Sequence, residues 1–92
     1  NYIIPLTMEL YRNYPNPFNP GTVISWQLAV GNVVQLKVYD MLGREIKTLV
    51  NTYQAAGKHE VLFDGSNLPS GIYIYRLSAG KKSINKKMLL VK

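Results

Sequence analysis

Tyr14-Pro15-Asn16-Pro17-Phe18-Asn19-Pro20-Gly21-Thr22 runs straight into Val23-Ile24-Ser25-Trp26-Gln27-Leu28, and the junction between the two decides the fold. Pro15, Pro17 and Pro20 each hold φ at about −65° and withdraw a backbone donor. Each residue before a proline is pushed toward extended geometry. The segment therefore reads as a stiff extended strap, neither a helix nor a central strand. It delivers the chain into a strand over Thr22–Leu28, where Ile24, Trp26 and Leu28 share one face and Ser25 and Gln27 the other. A strap of this kind acts as an entry clamp that fixes how the chain joins a β-domain.

Working outward from that strand, the period stays close to two. Val34, Leu36 and Val38 alternate with Gln35 and Lys37, and Asp40-Met41-Leu42-Gly43 makes a turn with Gly43 at the φ > 0 position. Glu45–Val50 forms a further, less regular strand, and Asn51–Gly57 reads as a loop. His59, Val61 and Phe63 then alternate with Lys58, Glu60 and Leu62. Leu68-Pro69-Ser70-Gly71 is a strong turn signal before Ile72–Ala79, where Tyr73, Tyr75 and Leu77 share a face. Ala79-Gly80-Lys81-Lys82 reads as a hairpin turn into a last strand near Ser83–Val91. Short strands at regular spacing with Gly, Pro and Asn turns predict an all-β, immunoglobulin-like antiparallel β-sandwich of about seven strands. Without cysteine, Trp26 is expected to supply the central bulk.

The 92 residues are read as one domain spanning 1–92, with residues 1–10 as a linker or a loosely attached first strand. A chain of this length buries about 60–65% of its unfolded surface, enough for one modest core. The lack of cysteine excludes disulfide staples, thiolate metal sites and thiol catalysis. There is no apolar run of the roughly 18 residues a membrane helix needs. No cationic, apolar-cored leader opens the chain at Asn1, so the chain is expected to be a fragment with any export signal upstream. The formal net charge is +6, and Lys81, Lys82, Lys86, Lys87 and Lys92 lie together with no acid among residues 81–92. Such a tail attracts an anionic partner surface, or else keeps an exposed strand edge from aggregating.

Catalytic and metal chemistry need clustered titratable groups. The acids Glu9, Asp40, Glu45, Glu60 and Asp64 are scattered, and the single histidine, His59, cannot make a two-histidine metal site. His59 shares a face with Val61 and Phe63, as a core or interface residue would. Ser70 has no Gly-x-Ser-x-Gly elbow around it, and no phosphate-cradling glycine motif occurs. The sequence therefore assigns no catalytic, cofactor-binding or metal residues. Asp40 and Asp64 each end a strand, where Asp caps turn N–H groups; a calcium site gathers six or more oxygens. Tyr73 and Tyr75 project on one face, which fits either core burial or an aromatic platform for polysaccharide. No recognition helix, aromatic RNA-binding strand or arginine-rich stripe calls for nucleic acid.

The ordered set of motifs resembles a known family, the C-terminal sorting domain of the Por (type IX) secretion system, in its type A form. The resemblance rests on Tyr14–Pro20, Val38-Tyr39-Asp40-Met41-Leu42-Gly43-Arg44-Glu45, Ala56-Gly57-Lys58-His59, Leu68–Leu77 and Lys86–Lys92, in that order. It covers nearly everything after residue 10. A related architecture is that of the immunoglobulin-like domain of flagellar hook-capping proteins. The resemblance implies a non-catalytic signal domain that ends a secreted protein and directs it through the periplasm and across the outer membrane to the cell surface. Its implied partners are the outer-membrane translocon, a surface sortase and a covalently attached upstream cargo, which the sortase can join to anionic lipopolysaccharide. Carried over by position, the translocon or sortase recognition residues are Ser70, Gly71, Ile72, Tyr73, Lys86, Lys87 and Met88. Ile84, Met88 and Leu90 are expected to anchor the last strand while the lysines face a partner. The alternative reading is an accessory immunoglobulin-like or carbohydrate-binding module of a secreted glycosidase or peptidase.

Overall fold

The computed structural model describes residues 8–92. Seven strands run in order: β1 (Glu9–Leu10), β2 (Gly21–Leu28), β3 (Asn32–Tyr39), β4 (Glu45–Gln54), β5 (Gly57–Asp64), β6 (Gly71–Ala79) and β7 (Lys82–Leu90). They build two antiparallel sheets, β1-β2-β5 and β4-β3-β6-β7, packed as the predicted β-sandwich. Of the segment read as a linker or first strand, Glu9 and Leu10 pair with Gln27 and Trp26, and residues 1–7 lie outside the described residues.

Alternation places the core. β2 turns Thr22, Ile24, Trp26 and Leu28 inward, β3 Val34, Leu36 and Val38, and β6 Tyr73, Tyr75 and Leu77. Leu10, Phe18, Phe63, Met88 and Leu90 complete the buried cluster. Trp26 is the largest side chain buried in it, and its indole N–H donates to Gln54 Oε1 at 3.0 Å, so its polar atom is satisfied. Phe18 meets Phe63 edge to face, with ring centroids 6.0 Å apart.

The segment expected as a loop over Asn51–Gly57 is strand as far as Gln54. Asn51, Thr52, Tyr53 and Gln54 pair with Gln35, Val34, Val33 and Asn32. β4 is an edge strand with most of its side chains in solvent, so it carries polar residues that imitate a loop. Its irregular pattern has a second cause. Pairing steps from Leu36↔Val50 to Lys37↔Thr48, and from Val38↔Lys47 to Tyr39↔Glu45, which leaves Leu49 and Ile46 as extra residues. Each bulge reverses the inside–outside parity of the residues beyond it. In the turn before β4, Gly43 has φ 82°, as expected.

The strap bridges a strand of each sheet. Its Tyr14–Pro15, Asn16–Pro17 and Asn19–Pro20 bonds are cis. Tyr14 bridges Val23 of β2, while Phe18 is buried and bridges Leu90 of β7 in parallel. Asn13 Nδ2 donates to Pro15 O (3.2 Å) and Thr22 Oγ1 (3.1 Å), and the Thr22 hydroxyl donates to Pro15 O (2.8 Å). Both polar side chains are buried, and these bonds satisfy them.

Candidate recognition surface

The β6–β7 register brings the two predicted recognition segments side by side. Ile72 lies opposite Leu89, Tyr73 opposite Met88, Ile74 opposite Lys87 and Tyr75 opposite Lys86. Alternation then divides the seven residues. Tyr73 and Met88 point into the core, whereas Ile72 and Lys87 are exposed on the outer face. Ser70 is exposed at the start of this face, and Gly71 opens β6.

Lys86 departs from the expectation that the lysines face outward. It shares the inner face with Ile84, Met88 and Leu90 and is half-buried. The cause is parity: Lys86 and Lys87 are adjacent, so a strand must send them to opposite faces. Ile84, Met88 and Leu90 do anchor the strand as expected.

Two sets of contacts hold this surface. Tyr73 donates its hydroxyl proton to Pro69 O at 2.7 Å, which fixes the turn before β6. The Lys92 N–H donates to Ser70 Oγ at 3.0 Å, and Lys92 Nζ donates to Ser66 O. From the other side, Asn16 Oδ1 accepts the Leu89 N–H at 3.0 Å. Phe18 N–H donates to Leu89 O (2.9 Å), and Val91 N–H donates to Phe18 O (3.0 Å). A shallow groove of about 170 Å³ runs between Asn16, Ile72, Lys87, Met88 and Leu89. Further along the outer face, the Arg76 guanidinium lies 5.0 Å over the Tyr39 ring, and its Nε–H donates to Asn85 Oδ1 at 2.9 Å.

Sequence reasoning missed Asn16, Leu89 and Val91 as parts of this surface. The strap motif signalled a clamp, but which strand it clamps depends on a contact between residues 73 positions apart.

The remaining candidate groups have structural work. Asp40 Oδ1 accepts the N–H groups of Leu42 (2.9 Å) and Arg44 (3.0 Å). The Arg44 backbone bond leads the effects that hold the Asp40 carboxyl below its ordinary range. Asp64 is held low first by the Ser66 hydroxyl and then by the Ser66 N–H. The Thr48 hydroxyl and then the Lys37 ammonium do the same for Glu45. His59 stacks on Trp26 with ring centroids 6.0 Å apart, and its Nε2 lies 2.8 Å from Ala55 O. Among the described residues no three His, Cys, Asp or Glu side chains gather as metal ligands would. Tyr73 and Tyr75 are both buried, so neither is available as a face for stacking sugar rings.

The fold is that of a small β-sandwich that presents a paired-strand face of β6 and β7. A family described as the secretion system C-terminal sorting domain matches residues 12–92, and the chain belongs to it. It is a sorting domain of the Por, or type IX, system: a non-catalytic signal for export to the cell surface. A solved structure of PorZ, an essential bacterial surface component of the type-IX secretion system of human oral-microbiomic Porphyromonas gingivalis, contains a similar domain. The TM-score is 0.63 at 22% identity, over 90% of this chain and 11% of that one, a likeness of fold. No curated protein matches the chain.

Proposed function

We propose that the domain is the type A form of the sorting signal, carried behind an upstream cargo and read by the outer-membrane translocon and a surface sortase. The face they read is formed by Ser70, Gly71, Ile72 and Lys87. One observation carries this reading: the β6–β7 register sets the two segments side by side, with Ile72 and Lys87 on the same outer face. Tyr73 and Met88 support that face from within, so their side chains act by holding it in place. A marker attached to unrelated cargo has to be preformed, because a rigid recognition element avoids the ordering cost of binding.

The test is a reporter fused ahead of this domain in a host that carries the system. The intact domain delivers the reporter to the surface, and deletion of residues 86–92 leaves it in the periplasm. Ile72→Asp with Lys87→Glu, which changes the face and leaves the core alone, lowers surface delivery by about tenfold or more, the scale of a lost 1.4 kcal/mol of recognition. Delivery unchanged by both alterations overturns the reading.

A further inference from the structure

We infer that the outer edge of β7, at Ser83, Asn85 and Lys87, is a docking edge for an extended acidic segment of a partner protein. The inference rests on the sorting-signal reading only in placing that partner within the export machinery.

β7 is the last strand of its sheet, paired with β6 on one side only. Along an antiparallel strand, alternate residues turn both their N–H and C=O toward the same neighbour. Leu89 turns both away from β6, toward Asn16 Oδ1 and the Phe18 N–H. By that alternation Lys87, Asn85 and Ser83 also turn their N–H and C=O away from β6. Among the described residues, no backbone hydrogen bond outside the strand ladders reaches them. The strap thus fills one end of the edge, through the parallel Phe18↔Leu90 bridge, and among the described residues nothing pairs with the rest. This edge already accepts extended chain where the strap touches it.

The side chains select what can be added. Lys86 lies half-buried on the inner face and Lys87 is exposed on the outer one, so an added strand meets an ammonium on each side. Lys81 and Lys82 extend the same sign, and residues 81–92 contain no acid. An apolar strand would cover Lys86 without a partner, which is unfavourable. A second copy of β7 would bring like charge to like. A strand with carboxylates on both faces pairs with both lysines, so the charges admit one class of partner and reject the others. The other edges are less suited. β4 is interrupted by its two bulges, and β5 mixes Lys58 with Glu60 and Asp64.

The test begins with an eight-residue peptide repeating two threonines and two glutamates, which puts carboxylates on both faces of an extended strand, added to the isotope-labelled chain, with the same peptide carrying lysine for glutamate as control. The amides of Ser83, Asn85 and Lys87 shift with the acidic peptide only, and their hydrogen exchange slows by about tenfold or more. Asn85→Pro removes an outward N–H without touching the β6 ladder, as proline is tolerated on an edge strand. Asn85→Ala loses the bond to Arg76 but keeps the N–H. Asn85→Pro abolishes both the peptide response and surface delivery of an upstream reporter, and Asn85→Ala keeps both. No shift, equal shifts with the lysine peptide, or wild-type delivery by a folded Asn85→Pro domain would overturn the inference. A wild-type domain that binds the acidic peptide at these amides yet delivers no reporter defeats the sorting reading alone.

Discussion

Tyr75 ties the two halves of the molecule together through a single hydroxyl. Its ring is fully buried, and the oxygen accepts the Asn13 N–H at 3.0 Å while its proton goes to Tyr11 O at 2.8 Å. The sequence offered core burial as one of two readings of this side chain. What the hydroxyl reaches, the lead-in to the strap, is set by packing between residues 62 and 64 positions away. Tyr75→Phe keeps the ring and leaves two backbone groups without partners, one of them on buried Asn13. The expected loss is about 1–3 kcal/mol, read as a lower urea midpoint at unchanged slope. Burial raises the Tyr75 phenol above its ordinary 10.0. The stability linked to that shift is complete below the unfolded value and is lost as pH rises through the folded one. Urea midpoints measured across the alkaline range should therefore fall less steeply for Tyr75→Phe than for the wild type. Parallel curves would show that the phenol does not contribute.

The strands differ in how far they could be read, and the difference is physical. β2, β3 and β6 each bury one face and expose the other, so alternation marks them plainly. β4 has little buried area and two bulges, so its second half looked like a loop. The strap was legible as stiff because proline acts locally, but its attachment to β7 was not, since that bond joins opposite ends of the chain. The candidate surface divides the same way: Ser70–Tyr73 and Lys86–Met88 were legible as segments, while their pairing and the inward turn of Lys86 required the register. The strap's role gives a prediction at this scale. Asn16→Ala removes the exposed bond to Leu89 and is expected to cost about 0.5–1.5 kcal/mol, with faster exchange of the Leu89 amide. Phe18→Ala empties a core position and is expected to cost about 3–5 kcal/mol. Exchange at Leu89 and Val91 rising before the β2 and β3 amides would show the clamp opening as a local unit. Uniform exchange across the strap contacts and the core strands would mean that the strap opens only with the whole fold.

At the scale of the molecule, the proposed recognition face exists only while the strands are paired, because Ile72 meets Leu89 and Lys87 through register and not through sequence. The conditions that keep the domain folded are then the conditions in which it can serve as a signal, and its charges set the acid limit. Asp40, Glu45 and Asp64 are all held below their ordinary values of 3.8, 4.5 and 3.8 by hydrogen bonds made in the fold. A carboxyl depressed by folding stabilises fully above its unfolded value and ceases to as pH falls through the lower folded value. Neutralising acids in a chain that already carries +6 also adds repulsion among its lysines and arginines. Acid should therefore unfold the domain by both routes, and salt should relieve only the second. Urea midpoints taken from about pH 6 to about pH 2.5 should fall, and added salt should restore part of the loss. Asp40→Asn with Asp64→Asn should lower the midpoint at neutral pH and flatten the decline, because those two carboxyls no longer change state. A double variant whose curve runs parallel to the wild type's would show that the turn carboxylates hold no stability, and that Glu45 and repulsion set the acid limit.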